Sequence, residues 1–217
     1  MLKREYVWEI PVRLFHWINA LSLLVLALTG FYIAGPVTLA WGEAYRSYAM
    51  GVVRFVHFVA AFVLLFNLVF RFYWAFVGNK YARWSGLLPV GKRLGDLVPQ
   101  TLYYLLIRQE PPHYVGHNPL AGLSYVGLFV LLILQGLTGF ALYGEVNPGG
   151  FYSGPFGWVL GLLGSQVTRF LHHILMWLIG IFFLVHLYIA IYYDLREKNG
   201  PMSSIVSGFK FISEQEE

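Results

Sequence analysis

The chain has 217 residues, of which 58% are hydrophobic, 18% aromatic and only 12% charged. An average soluble domain carries roughly 25% charged residues, so this composition favours an integral membrane protein over a soluble enzyme. The absence of cysteine excludes disulfides, iron–sulfur clusters, thiolate-bound metals and covalent haem attachment.

Four stretches are apolar and long enough to cross a bilayer as helices: about 14–34, 50–77, 122–143 and 167–193. Lys3, Arg4 and Glu5 interrupt the residues before the first stretch, so we expect no cleavable signal and a first helix that stays in the mature protein. We find no repeat or soluble domain. The sequence therefore predicts one domain, 1–217, folded as an all-α four-helix membrane bundle with a connection at 78–121.

Part of that connection, 98–108, is apolar and aromatic between two prolines, Pro99 and Pro111. Such a segment is either a helix lying in the membrane interface or a plain cytoplasmic loop, and the sequence favours neither. We interpret His113, beside Pro112, as a solvated loop residue.

Lysine and arginine are distributed unevenly between the two sides of the membrane that four spans define. Cytoplasmic segments carry the excess of these residues. One side holds Arg46, Arg54 and Arg169; the other holds Lys3, Arg4, Arg13, Arg71, Lys80, Arg83, Lys92, Arg93, Arg108, Arg196, Lys198 and Lys210. We therefore predict a multi-pass protein of the inner (cytoplasmic) membrane with both termini in the cytoplasm, and we do not interpret the net charge of +4 as a nucleic-acid-binding signal.

Histidines occur within or at the ends of the apolar spans, where an ionisable group is costly unless a partner or ligand offsets it. They are His16, His57, His186 and the adjacent His172 and His173. A single buried histidine is usually a hydrogen-bonded core residue. The arrangement of this set instead favours a ligand role, as the fourth span shows.

His172 and His186 are 14 residues apart in that span, about 40° short of a whole number of helical turns. They share a helix face, roughly 21 Å apart along the axis. His173 is rotated about 100° away and is excluded from this pair. Two histidines on one face predict two sites at opposite membrane depths.

The predicted topology supplies the second member of each pair. His16 lies at the cytoplasmic end of the first span, level with His186, and His57 lies at the outer end of the second span, level with His172. Two neutral imidazoles at one level suit bis-histidine haem ligation, whereas zinc or copper wants three or four converging ligands. The sequence therefore predicts two haems b in the bundle core.

An arginine precedes three of these histidines by three residues: Arg13, Arg54 and Arg169. That spacing puts both side chains on one helix face, and a guanidinium binds the carboxylate of a haem propionate in a bidentate manner. Arg71, 14 residues after His57, is a fourth candidate. The alternative is that these arginines mark helix ends and extend to the interface.

The sequence also resembles the b-type cytochrome subunit of membrane-bound nickel–iron hydrogenases, over nearly its whole length. The first span, from Arg13-Leu-Phe-His16-Trp17 to Thr29-Gly30, resembles one family signature, and Arg169-Phe-Leu-His172-His173 through to His186 resembles a second. Further similar segments are Arg71–Asn79, Gly116–Ala121 and Thr138–Glu145.

This resemblance implies a redox role. The hydrogenase small and large subunits would sit on the outer face, with the hydrogen chemistry in those polypeptides and no catalytic residue in this one. Electrons would pass from the small subunit's iron–sulfur chain to the outer haem, then to the inner haem and to quinone. This chain would anchor the complex in the lipid and hold the two haems b.

For the quinone, the candidates are His117 and Asn118, which precede the third span and can hydrogen-bond a quinone oxygen. The related formate dehydrogenase cytochrome binds quinone in a similar place. The alternative is that Asn118-Pro119 forms the turn that starts the third helix.

Two other functions remain open from the sequence. The chain could be the cytochrome subunit of a formate dehydrogenase or another periplasmic oxidoreductase, with the same helices and ligands. It could also be a haem-free anchor or a small transporter in which the histidines relay protons.

Overall fold

A computed structural model describes residues 2–36, 48–110, 112, 114–197 and 200–213. Four residues used in the sequence analysis lie outside these described ranges: Arg46, Pro111, His113 and Lys198. The described chain is mostly helical. It divides into two compact units, one formed by Met1–Trp8 with Asn79–Glu217 and the other by Glu9–Gly78.

Seven α-helices and two strands follow one another along the described chain. They are β1 (Leu2–Tyr6), α1 (Ile10–Ala34), α2 (Ala49–Val77), α3 (Trp84–Leu87), α4 (Leu97–Tyr104), α5 (Pro119–Val146), α6 (Ser153–Glu197), α7 (Pro201–Ser207) and β2 (Phe209–Ser213), and a 3₁₀ turn lies at Gly91–Leu94.

Helices α1, α2, α5 and α6 are each long and apolar enough to cross a membrane. They also expose many large apolar side chains along their length, such as Leu21, Leu24 and Leu28 on α1. Exposing so much apolar surface to water would be unfavourable, whereas the hydrocarbon chains of lipids are as apolar as a leucine side chain and can surround it. The predicted spans are confirmed as helices, and the chain is a multi-pass membrane protein.

In the unit Glu9–Gly78, α1 packs against α2. Pro11 lies in the first turn of α1, where its missing N–H and fixed φ are tolerated. Asn67 of α2 donates from Nδ2 to the Phe15 carbonyl at 2.9 Å and to Asn19 Oδ1 at 2.8 Å. This buried amide joins the two helices beside the first turns of α1.

In the other unit, α5 packs against α6. Helix α6 starts at Ser153, earlier than the predicted start near 167, and contains a break at Gly164, where φ is 73° and ψ is 161°. Only glycine adopts that backbone conformation at little cost. The segment 165–197 that carries His172 and His186 continues as helix beyond the break.

Both ends of the chain meet in a two-stranded antiparallel sheet, which we call the terminal sheet (β1 and β2). Leu2 pairs with Ser213 and Tyr6 with Phe209. The Val7 and Trp8 N–H groups then donate to the Gly208 carbonyl at 2.9 and 3.0 Å. Residues near the beginning and the end of the described chain therefore lie together.

The connection between α2 and α5 is folded rather than irregular. Arg93 donates to the Gly86 carbonyl at 3.1 Å and to the His117 carbonyl at 2.7 Å. Helix α4 occupies most of the apolar stretch 98–108, so this stretch is largely helical. Gln100 and Tyr103 of α4 are fully buried.

Candidate haem-binding site

His57 lies on α2, partly buried, and contacts Thr29 of α1. Its Nδ1 is 2.8 Å from the Thr29 hydroxyl oxygen. That hydroxyl donates its single proton to the Val25 carbonyl at 2.6 Å, one helical turn earlier. With its proton on that carbonyl, the Thr29 oxygen can accept from His57, which favours the tautomer with the proton on Nδ1 and a lone pair on Nε2 for a metal.

His172 on α6 has the same arrangement with α5. Its Nδ1 is 2.9 Å from the hydroxyl oxygen of Thr138, which donates to the Leu134 carbonyl at 2.9 Å. The same reasoning favours the proton on Nδ1 of His172 and the lone pair on Nε2. Thr138 is buried, so water does not compete strongly for this contact.

Two neighbours shape the surroundings of the His172 ring. Gln135 Nε2 lies 3.2 Å from His172 Nε2, where an amide N–H can donate to the lone pair. A Cβ at Gly139 would lie 3.0 Å from His172 Cε1, tighter than an ordinary contact. Glycine at 139 therefore makes room for the ring.

Neither threonine was identified as a site residue from the sequence. A signal does exist, because both are followed by glycine: Thr29-Gly30 in α1 and Thr138-Gly139 in α5. A threonine inside a helix commonly bonds to a carbonyl one turn back, so the hydroxyl alone does not indicate a function. The histidine partner comes from another helix, and spacing within one helix does not reveal it.

The described contacts of His16 and His186 are largely aromatic. His16, in the second turn of α1, meets the Trp17 ring edge-on at 5.2 Å. His186 stacks on Phe182 of its own helix, with ring centroids 5.8 Å apart and planes 8° apart, and it meets Tyr125 of α5 at 6.0 Å. Both histidines are partly buried. His173 contacts Trp177 of its own helix at 6.4 Å.

The four candidate arginines occupy different surroundings. Arg169 forms an ion pair with Glu145 at 2.7 Å and donates from Nε to Ser165 at 3.2 Å. Arg71 lies over the Phe15 ring at 5.7 Å. Arg13 is partly buried and Arg54 exposed. Glu145 is a carboxylate partner for Arg169 that the spacing did not predict.

The two quinone candidates lie at the start of α5. Asn118 is the N-cap of that helix: its Oδ1 accepts from the Ala121 N–H at 2.8 Å, and its Nδ2 donates to the Tyr104 hydroxyl at 2.7 Å. The turn interpretation of Asn118-Pro119 is therefore confirmed, and it leaves ligand binding by Asn118 untested. The His117 ring lies between Trp8 at 4.6 Å and Tyr125 at 5.0 Å.

Within the described ranges, no group of three histidine or acidic side chains lies close enough together to bind a metal ion directly.

Residues 7–208 of the chain match the family model described as prokaryotic cytochrome b561. The chain belongs to the prokaryotic cytochrome b561 family. The resemblance found from the motifs is thereby confirmed.

Curated relatives of this cytochrome b561 chain carry consistent names. The "Probable Ni/Fe-hydrogenase B-type cytochrome subunit" of Cupriavidus necator is 42% identical over 214 residues, which cover 96% of this chain and 88% of the relative. The protein of the same name from Azotobacter chroococcum is 39% identical, covering 96% and 89%. The "Probable Ni/Fe-hydrogenase 1 B-type cytochrome subunit" of Escherichia coli K12 is 34% identical, covering 95% and 90%.

Membership of the cytochrome b561 family supports haem b as the cofactor, and the residues fit that group. An axial haem ligand is a neutral imidazole that coordinates through one nitrogen while the other donates to a hydrogen-bond acceptor. His57 and His172 meet this requirement, since each Nδ1 is held by a threonine oxygen. Gly139 adds space beside the His172 ring.

Proposed function

We propose that this chain is the di-haem b membrane subunit of a nickel–iron hydrogenase. It anchors the small and large subunits on the outer face of the inner membrane. It carries electrons from the small subunit's iron–sulfur chain, by way of the outer and then the inner haem, to quinone. The observation that carries the proposal is the presence of His57 and His172, each with Nδ1 bonded to a threonine, on spanning helices of a cytochrome b561 family member.

The pairing of the ligands rests on topology. With both termini in the cytoplasm, α1 begins and α6 ends on that side, so His16 and His186 hold the inner haem. Helix α2 then begins on the outer side, so His57 and His172 hold the outer haem. The unbroken segment of α6 separates His172 from His186 by about 21 Å, most of a hydrocarbon core roughly 30 Å thick.

Each haem b, when bound, supplies a centre that takes up and releases one electron. The chain's own residues hold and orient these groups. Neutral histidines provide the ligands, threonines fix the tautomer of His57 and His172, and apolar helices keep water away. We propose that four arginines bind the haem propionates: Arg13, Arg54, Arg71 and Arg169. The Arg169 guanidinium already donates to Glu145 and Ser165, and it has further N–H groups that can donate to a propionate.

For the quinone we propose a site at His117 and Asn118, near the inner haem. The support is the position of Tyr125, whose ring contacts both His117 at 5.0 Å and the inner ligand His186 at 6.0 Å. A quinone beside His117 would therefore lie within a few side chains of the proposed inner haem ligand.

The test is purification of the chain with its partners from membranes, followed by metal analysis, a reduced-minus-oxidised spectrum and haem quantification as the pyridine complex. We expect nickel and iron in the complex and two haems b for each copy of this chain. Molybdenum in place of nickel would assign the chain to a formate dehydrogenase. Absence of a b-type α-band would overturn the cytochrome proposal and favour a haem-free anchor or transporter.

A further inference from the structure

We propose that Thr29 and Thr138 are positioning residues for the two axial histidines of one haem, the outer one, and that together they set its affinity and its midpoint potential. This inference rests on the proposed function, because it takes His57 and His172 as ligands of the same haem. It adds to that function a matched pair of hydroxyl groups that nothing in the ligand spacing indicates.

The contacts on the two sides agree closely. Thr29 Oγ1 lies 2.8 Å from His57 Nδ1, and Thr138 Oγ1 lies 2.9 Å from His172 Nδ1. Each hydroxyl also lies within hydrogen-bond distance of the carbonyl four residues earlier, Val25 at 2.6 Å and Leu134 at 2.9 Å. A hydroxyl has one proton, so its donation to the carbonyl leaves only acceptor capacity for the imidazole.

This arrangement determines which nitrogen of each imidazole is available to iron. With the proton held on Nδ1, the lone pair stays on Nε2, which is the nitrogen directed away from the threonine. At His172 the Nε2 atom faces the Gln135 amide at 3.2 Å. That amide nitrogen can donate to a lone pair on Nε2.

A hydrogen bond from Nδ1 to an oxygen acceptor makes the imidazole a stronger electron donor at Nε2. A stronger donor stabilises ferric iron more than ferrous iron, because the ferric ion carries the greater charge. Two such ligands on one haem therefore strengthen its binding and lower its midpoint potential. Loss of either threonine acceptor shifts both properties in the opposite direction.

The experiment uses the purified complex with Thr29→Val, Thr138→Val and the double variant, since valine has nearly the same shape without the hydroxyl. Thr29→Ser and Thr138→Ser retain the acceptor. Thr101→Val is the matched control, because Thr101 bonds back to the Leu97 carbonyl at 2.8 Å outside the spanning helices. Haem content, haem loss to an excess of a haem-scavenging protein, and redox titration of the α-band are measured for each.

We expect each valine variant to raise the midpoint potential of one and the same haem, and the double variant to raise it further. We expect retention of that haem to weaken by about 10- to 100-fold, in line with the usual effect of removing a partner of a ligating histidine. The serine variants and Thr101→Val should match the wild type in both measurements. If a valine variant fails to assemble, Thr29→Ala and Thr138→Ala remove the hydroxyl with less bulk.

Unchanged potentials in the hydroxyl-free variants, or shifts in two different haems, would overturn the inference. A shift of similar size in Thr101→Val would do so as well. Wild-type complex without haem b would instead contradict the proposed function, so the two failures are distinguishable.

Discussion

At the scale of single residues, the histidines divide by their surroundings. His57 and His172 each contact a threonine hydroxyl through Nδ1, whereas the described ring contacts of His186 are aromatic. His173, adjacent to His172, turns to Trp177 of its own helix. Neighbours in sequence thus have different surroundings, since each residue in a helix is rotated by about 100° from the last.

The first prediction concerns the proposed ligand pairs. Replacing His57 or His172 with alanine should remove the same haem, and replacing His16 or His186 should remove the other, because an axial ligand lost from either side frees the iron. Haem content should fall from two to one for each chain in all four variants. Quantification as the pyridine complex gives the number, and the residual α-band identifies which haem remains.

His173→Ala is the control and should keep both haems. If His16→Ala and His57→Ala left the same residual spectrum, the topology-based pairing would be wrong.

At the scale of the helices, the N-terminus of α5 is stabilised by Asn118. The helix begins at Pro119, and Asn118 Oδ1 accepts from the Ala121 N–H while Nδ2 donates to Tyr104. An N-cap of this type contributes about 1 kcal/mol to stability. The cap sits directly beside His117, so it also holds the backbone at one proposed quinone residue.

The second prediction separates capping from quinone binding at Asn118. Asn118→Ala should lower the free energy of unfolding by about 1 kcal/mol, whereas Asn118→Asp should leave it near the wild-type value, because aspartate caps equally well and can accept a hydrogen bond from the Tyr104 hydroxyl. Denaturation of the purified chain in detergent measures both. The aspartate side chain has no N–H groups to donate to a quinone oxygen. If Asn118 binds quinone as proposed, Asn118→Asp should therefore lose quinone reduction while its stability stays normal.

Normal quinone reduction in Asn118→Asp would confine Asn118 to its capping role. His117 would then be the remaining candidate at this site.

At the scale of the whole chain, contacts distant in sequence tie the two ends to the connection before α5. Lys210 of β2 is buried, and its Nζ donates to the Val115 carbonyl at 3.0 Å and lies 5.5 Å from the Trp8 ring centre. Trp8 Nε1 donates to Ser204 at 3.1 Å, and Asn79 Nδ2 to the Val7 carbonyl at 2.9 Å. The terminal sheet is therefore anchored at several points.

The third prediction follows from the environment of Lys210. Burial lowers its pKa from 10.5 to about 8. Below pH 8 the ammonium is charged in the folded and unfolded states alike, and the cost of burying it is fully present. Between pH 8 and 10.5 the folded state releases its proton first, so the terminal sheet gains stability with rising pH, by about 1 kcal/mol per pH unit.

Amide hydrogen-exchange protection of β1 and β2, corrected for the intrinsic exchange rate, measures this gain from pH 7.5 to 10. Lys210→Met removes the titrating group and should give a flat profile over the same range. Protection that is flat or falls with pH in the wild-type chain would contradict the prediction.

The sequence by itself determined the features that depend on local composition and helix periodicity. Four runs of apolar residues specified α1, α2, α5 and α6, because a bilayer requires about 20 apolar residues in each span. Spacing placed His172 and His186 on one face of α6, and the motifs around His16 and His172 identified the family. The break at Gly164 was not predicted, since glycine is also frequent in unbroken membrane helices.

Only the tertiary structure showed the contacts between elements. Thr29 reaches His57 and Thr138 reaches His172 from a different helix, across 28 and 34 residues of chain. Glu145 binds Arg169, and the terminal sheet joins Leu2–Tyr6 to Phe209–Ser213. Such partners have no periodic signal within one segment, because helix packing and strand pairing alone decide which side chains meet.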